Sequence, residues 1–85
     1  MTPDSLGEIR SVLADVCTQL GDAYHHAGVA RDRLTDAETV LAALAEQHPE
    51  PLVPPQLRHA EAELARGLDL ISSVATLVSD INARL

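Results

Sequence analysis

Histidine and aspartate side chains at helical spacing are the first candidates for chemistry in this sequence. Asp22 precedes His25 and His26 by three and four residues, so one helix face could present two ligands to a metal ion. His59 and Glu63 form a second pair with four-residue spacing. Neither pair has further ligands nearby to complete a coordination shell, so we expect solvated surface histidines, no metal site and no cofactor. Pairing of His25 with its copy across an oligomer stays an open alternative.

The candidate nucleophiles lack the neighbours that would activate them. Cys17 has an acidic residue two positions before it and no cation within one helical turn to favour the thiolate. Ser72, Ser73 and Ser79 lie within a predicted helix, outside any sharp turn that would present a hydroxyl to a base. No glycine-rich phosphate loop is present. We therefore predict no catalytic residues and no enzymatic activity.

Two arginines offer the remaining polar candidate. Arg31 and Arg33 flank the predicted contact line of the first helix, and we expect their stems to cover Leu68 and Leu70 while the guanidinium groups stay in water. A site for an anion or an acidic partner is the alternative interpretation.

Charge and composition exclude several classes of function. The chain has 13 acidic and 6 basic residues, all the latter arginine, and its net charge of −7 opposes binding to nucleic acid. There is no apolar run long enough to cross a membrane, and we expect no signal peptide and no membrane partner. One cysteine fits a reducing cytoplasm. The absence of lysine suggests a bacterium of high GC content.

The elements that would position these residues are helices. With no Phe or Trp, one Tyr and an apolar content dominated by Ala and Leu, the composition predicts an all-α fold. We predict a single helical-hairpin domain over residues 1–85, with one helix over about 3–48 and a second over about 55–84. Residues 49–54 form the proline-rich turn between them. This turn could also bind as an extended proline-rich ligand, although its role as a rigid connection explains it.

Apolar residues recur at alternating spacings of three and four along both helices, which predicts an antiparallel coiled coil. In the first helix the repeat comprises Leu6, Ile9, Leu13, Val16, Leu20, Ala23, Ala27, Ala30, Leu34, Ala37, Leu41 and Leu44. In the second helix it comprises Leu57, Ala60, Leu64, Gly67, Ile71, Val74, Val78, Ile81 and Leu85. We call the line where the two helices meet the seam. A strict repeat over this length favours coiled-coil packing over an ordinary amphipathic helix.

The predicted alignment of the two helices leaves one end uncovered. If Leu44 faces Leu57, most layers of the seam match one large residue with one small residue. The first helix is then longer than the second, and its first turns project beyond it. The apolar residues of this overhang, which we predict to be an interaction surface, are Leu6, Ile9, Val12 and Leu13.

Small residues on one flank of the first helix predict a second interaction surface. Gly21 and Gly28 each destabilise a helix by about 1 kcal/mol relative to Ala, which favours a groove that admits another helix. Local flexibility or compositional drift is the alternative. We predict that this flank contributes to an interface, together with apolar residues on both sides of the second helix. The residues assigned to this interface are Cys17, Gly21, Tyr24, Gly28, Leu68, Leu70, Ala75 and Leu77.

In size and layout the chain resembles the WXG family of type VII secretion substrates, whose members pair as four-helix bundles. The turn reads HPEPLVPP and has no Trp-x-Gly, and the C-terminal VSDINARL lacks the family's Tyr-x-x-x-Asp/Glu signal. The likeness is therefore one of architecture. The chain is also similar to short Ala/Leu-rich hairpins of unknown function from high-GC bacteria.

These observations favour a protein–protein interaction module over an enzyme. We predict a homodimer that forms a four-helix bundle and acts as a scaffold, adaptor or small regulator. One alternative is a secretion-substrate-like or effector protein that binds a heterologous helix through the overhang. Another is a bundle that binds a metal or a small ligand.

Overall fold

The structure, a computed structural model, is described for residues 3–85, with side chains from residue 5 onward. Helix α1 comprises Pro3–Ala45 and helix α2 comprises Pro55–Arg84. The fold is all-helical over these residues, and the two helices pack against each other as a hairpin. The resulting rod measures 70 × 14 × 14 Å, so almost every residue lies near the surface.

The proline-rich turn sets the ends of both helices. Helix α1 ends at Ala45, earlier than the predicted end near His48, because Pro49 disfavours a helical backbone at the residue before it. A tighter turn closes the helix instead, in which the His48 N–H donates to the Ala45 carbonyl at 3.1 Å. Helix α2 begins where Pro54 is extended, with ψ of 140°, and Pro55 takes the first helical position.

Much of the predicted seam is half-buried between the helices. On α1 these residues are Leu6, Ile9, Leu13, Val16, Leu20, Ala27, Leu34 and Leu41, and on α2 they are Leu57, Ala60, Leu64, Gly67, Ile71 and Val78. Their spacings of three, four or seven residues place them on one face of each helix, so they form a continuous line of contact. The sequence repeat therefore identifies these seam positions correctly.

The remaining seam positions predicted in the second half of α2 are wrong, because this helix is rotated about its axis relative to the prediction. Leu68 is the only buried hydrophobic residue among those described, with 3% of its surface exposed, whereas Val74 and Ile81 are 37% and 49% exposed. The rotation buries the large apolar side chain of Leu68 near the middle of the hairpin, deeper than the neighbouring Gly67, which is half-buried. On α1, four predicted seam residues are exposed to solvent in the same way: Ala23, Ala30, Ala37 and Leu44, the last with 47% of its surface exposed.

The alignment of the helices also differs from the prediction. The Asn82 side-chain amide donates to the Arg10 carbonyl at 3.5 Å, and Arg58 Nε lies 3.3 Å from Glu38 Oε1. Helix α2 therefore lies roughly one and a half to two and a half turns closer to the start of α1 than predicted.

This shift corrects the predicted overhang. The Asn82–Arg10 hydrogen bond places the last turn of α2 beside Arg10, so fewer residues of α1 extend beyond α2 than predicted. Leu6, Ile9 and Leu13 are half-buried, and only Val12, with 59% of its surface exposed, faces solvent. The overhang is thus not a separate apolar surface.

Candidate interaction surfaces

The seam divides the hairpin surface into two sides of different character. In an α-helix, the residue after a seam position points to one side, and the residue three positions after it points to the other. Gly21 and Ser72 follow the seam residues Leu20 and Ile71, and both lie on the first side. Val74, three positions after Ile71, lies on the second. Antiparallel pairing places equivalent positions of the two helices on the same side.

The second side carries most of the exposed large hydrophobic residues, and we call it the apolar face. Its most exposed members are Leu70 at 66%, Leu77 at 61%, and Val12 and Val40 at 59% each. Small residues of α1 complete the surface between them. The apolar face comprises Val12, Ala23, Ala30, Ala37, Val40 and Leu44 of α1 and Leu70, Val74, Leu77 and Ile81 of α2.

Charged side chains are confined to the margins of the apolar face. Among the positions that helical geometry assigns to it, residues 12–30 of α1 and 67–81 of α2 contribute no Asp, Glu, Arg or Lys. Arg33 and Glu63 lie nearer the turn, and the Glu63 carboxylate accepts a hydrogen bond from Arg66 at 2.8 Å. An apolar strip bordered by charges is the usual pattern of a helix surface that packs against other helices.

The first side of the hairpin carries an open cavity of about 490 Å³, which we call the groove. Small and polar side chains dominate it, and Asp80 is its one charged residue. A Cβ atom added at Gly21 would have nothing within 4 Å. The residues that line the groove are Cys17, Leu20, Gly21, Tyr24, Ile71, Ser72, Ala75, Thr76, Ser79 and Asp80.

The structure distributes the predicted interface residues over three places. Four of them, Cys17, Gly21, Tyr24 and Ala75, lie together in the groove, and Gly28 is half-buried one turn from Tyr24. Leu70 and Leu77 lie on the opposite side, in the apolar face. Leu68 lies in neither surface, because the rotation of α2 buries it inside the hairpin.

The sequence interpretation missed seven residues of the apolar face. Six were assigned to the seam, namely Ala23, Ala30, Ala37, Leu44, Val74 and Ile81, and Val40 was assigned to no surface. The sequence signal that could have revealed the residues of α2 among these is a second heptad repeat in that helix, displaced by one residue from the repeat assigned to the seam. Residues 61, 68, 75 and 82 lie one position after 60, 67, 74 and 81, so either set can turn toward α1.

A carboxyl pair lies in the seam near the turn. Glu38 and Glu61 are both half-buried, and Glu61 Oε1 is shielded from water without a hydrogen-bond partner. Hydrogen bonding with the Glu38 carboxyl, followed by burial and by repulsion from Glu38, raises the pKa of Glu61, and the Thr35 hydroxyl and the Arg58 guanidinium oppose this rise. Two carboxyl groups this close favour sharing one proton.

The raised pKa links this pair to the stability of the hairpin. The folded chain binds the Glu61 proton more tightly than the unfolded chain, whose reference value is 4.5. The resulting stabilisation is fully present below about pH 4.5 and is lost as the pH rises through the folded pKa.

The other candidate groups for chemistry lie apart from both surfaces or at their edges. His25 and His26 are exposed, with ring centroids 5.8 Å apart, and His59 Nε2 lies 4.0 Å from Glu63 Oε1. Arg31 approaches Asp32 at 3.6 Å. Within residues 5–85 no three His, Cys, Asp or Glu side chains are grouped closely enough to hold a metal ion. Neither helix, over the same residues, has the length and apolar character to span a membrane.

The chain matches no protein-family model, and no curated protein and no solved structure is significantly similar to it. The resemblance to WXG-type hairpins therefore stays a prediction based on architecture. Function has to be argued from the two surfaces themselves.

Proposed function

We propose that this chain is a protein–protein interaction module that acts as a homodimer, in which two hairpins form a four-helix bundle. One observation carries the proposal: the hairpin buries a single hydrophobic residue among those described and leaves a broad apolar face in water. Patches of this kind mark interaction sites in folded proteins. The role that fits such a bundle is that of a scaffold, adaptor or small regulator.

The surface area of the isolated chain supports the same proposal. A compact protein of 9.1 kDa exposes about 4,900 Å², whereas this chain exposes 6345 Å². The excess of about 1,400 Å² exceeds the roughly 800 Å² that each partner buries in a standard interface. Burial of about 800 Å² per chain in a dimer would remove roughly half of this excess.

Light scattering coupled to size exclusion tests the proposal at micromolar concentrations. We expect a mass near twice 9.1 kDa for the natural chain. Leu77→Arg places a charge in the apolar face and should yield the monomer, whereas Gly21→Leu fills the groove and should leave the dimer intact. A natural chain that stays at 9.1 kDa would contradict the proposal, and a dimer broken by Gly21→Leu but not by Leu77→Arg would move the interface to the groove.

A second candidate function is the binding of a heterologous helix in the groove. The open space beside Gly21 and Ala75 admits the backbone of another helix, and Asp80 favours a partner with a basic residue at that position. Tyr24 lines the groove and is the only fluorescent aromatic residue of the chain. A basic amphipathic peptide without Tyr or Trp should change the Tyr24 emission of the natural chain but not of Gly21→Leu. An unchanged emission in the natural chain would count against this function.

A further inference from the structure

We infer that the second copy docks with its α1 on α2 of the first copy, around a two-fold axis parallel to the helices. The inference rests on the proposed homodimer and specifies its geometry. An isologous interface uses the same patch on both subunits, here the apolar face. Two arrangements are available to such a face. In the first, α1 packs against α2 of the partner; in the second, α1 packs against the partner's α1 and α2 against the partner's α2.

The side-chain volumes of the apolar face favour the first arrangement. On this face α2 contributes the large residues Leu70, Val74, Leu77 and Ile81, whereas the middle of α1 contributes Ala23, Ala30 and Ala37. The distance between packed helices follows the size of the side chains between them. In the second arrangement, the large residues would keep the two α2 helices far apart, whereas the alanines would let the two α1 helices approach closely. Placing α2 on α1 matches large with small residues on both sides of the axis.

The heights of residues along the long axis of the hairpin identify which residues face each other across the dimer interface. From the groove to the turn, the shared groove lining of Gly21 and Ala75 and the Glu38–Arg58 ion pair indicate which residues of α1 and α2 lie at similar height. A two-fold axis parallel to the helices keeps these heights for the partner. Val74 of one copy is therefore placed beside Ala23 of the partner subunit.

Charge supports the same arrangement. At equal height on the edge of the apolar face, α1 carries Arg33 and α2 carries Glu63. The α1-on-α2 geometry brings Arg33 toward Glu63 of the partner subunit, beside the existing Arg66 contact at 2.8 Å. Opposite charges at the rim favour this orientation more than they add affinity.

Disulfide trapping between singly substituted chains tests the geometry. The background is Cys17→Ser, and a chain with Ala23→Cys is mixed with a size-tagged chain with Val74→Cys in a glutathione buffer. We expect a mixed disulfide and no homotypic dimer from either chain, because both α1 helices and both α2 helices lie diagonally across the bundle, beyond the reach of a disulfide. Ala37→Cys with Ala60→Cys provides a second pair near the turn, because Ala60 lies on α2 two heptads before Val74 and so on the same side of the hairpin.

The outcomes separate the geometry from the dimer itself. Light scattering of the reduced variants first establishes that each is dimeric. Dimers that give only homotypic disulfides through Val74→Cys, or no mixed disulfide for either pair, overturn the inferred arrangement and leave the homodimer standing. A natural chain that is monomeric overturns both.

Discussion

Leu68 and Leu70 form a matched pair for testing whether a second chain covers the apolar face of this hairpin. They are the same residue type in the same helix, yet 3% of Leu68 and 66% of Leu70 is exposed in the single chain. Substituting each by alanine removes the same atoms from two different environments. Leu68→Ala acts on the hairpin seam, and Leu70→Ala acts on the apolar face.

The structure provides the expected magnitudes. Leu68→Ala should lower the free energy of unfolding by about 2–5 kcal/mol, the range for a buried leucine. Full burial of a leucine stabilises by about 1.5–3 kcal/mol, and about two-thirds of Leu70 remains to be buried by a partner. Leu70→Ala should therefore weaken a dimer by about 1–2 kcal/mol per copy, or about 2–4 kcal/mol in total. That loss corresponds to a roughly 30- to 1,000-fold increase in Kd.

Urea unfolding followed by circular dichroism, at low and high micromolar chain concentrations, distinguishes the two effects. For a dimer the midpoint rises with concentration, because association stabilises only the folded state. Leu68→Ala should lower the midpoint at both concentrations. Leu70→Ala should lower it most at the low concentration. A Leu70→Ala variant that unfolds like the natural chain at both concentrations would refute the argument that the apolar face is buried in an assembly.

Three further predictions concern the seam, the groove and the turn. Glu61→Gln should raise stability at pH 7 and flatten the decline of stability as the pH rises above 4.5, as measured by urea unfolding across pH with Glu63→Gln as the exposed control; an unchanged pH profile would contradict the raised pKa. Gly21→Ala and Gly28→Ala should each stabilise the hairpin by about 0.5–1 kcal/mol, because an added Cβ meets no atom within 4 Å, and a lower Tm in thermal scans would count against an open groove. Arg58→Ala should reduce stability by less than about 1 kcal/mol because its side chain is 68% exposed, and a loss that persists in 1 M salt would indicate a role beyond the ion pair.

The sequence predicts the helices of this fold well, because their signals are local. Pro49 and Pro55 bracket the turn, and the heptad positions Leu20, Ile71 and Val78 lie between the helices as expected. The rotation of α2 was not predictable in the same way. Its two adjacent repeats both satisfy heptad spacing, and the choice between them depends on how both helices pack together.

The alignment of the helices and the composition of the apolar face were missed for the same reason. Alanine-rich layers fit several alignments about equally well, so large-to-small matching along the seam did not select the observed one. Once Leu44 and Val74 are assigned to the seam, they cannot also be recognised as surface residues. The assignment of Leu70 and Leu77 to a surface did not depend on the alignment, and the structure places both in solvent.

The exposed apolar face has a consequence for the abundance of the protein in a cell. Chains newly released at concentrations below the dissociation constant would present this face to chaperones and proteases, which capture exposed hydrophobic segments. Paired chains would be protected, because the population open to cleavage falls as the assembled state gains stability. Accumulation would then rise steeply once synthesis exceeds the concentration needed for pairing. The affinity of the apolar face for its copy would therefore set the concentration above which the protein escapes degradation.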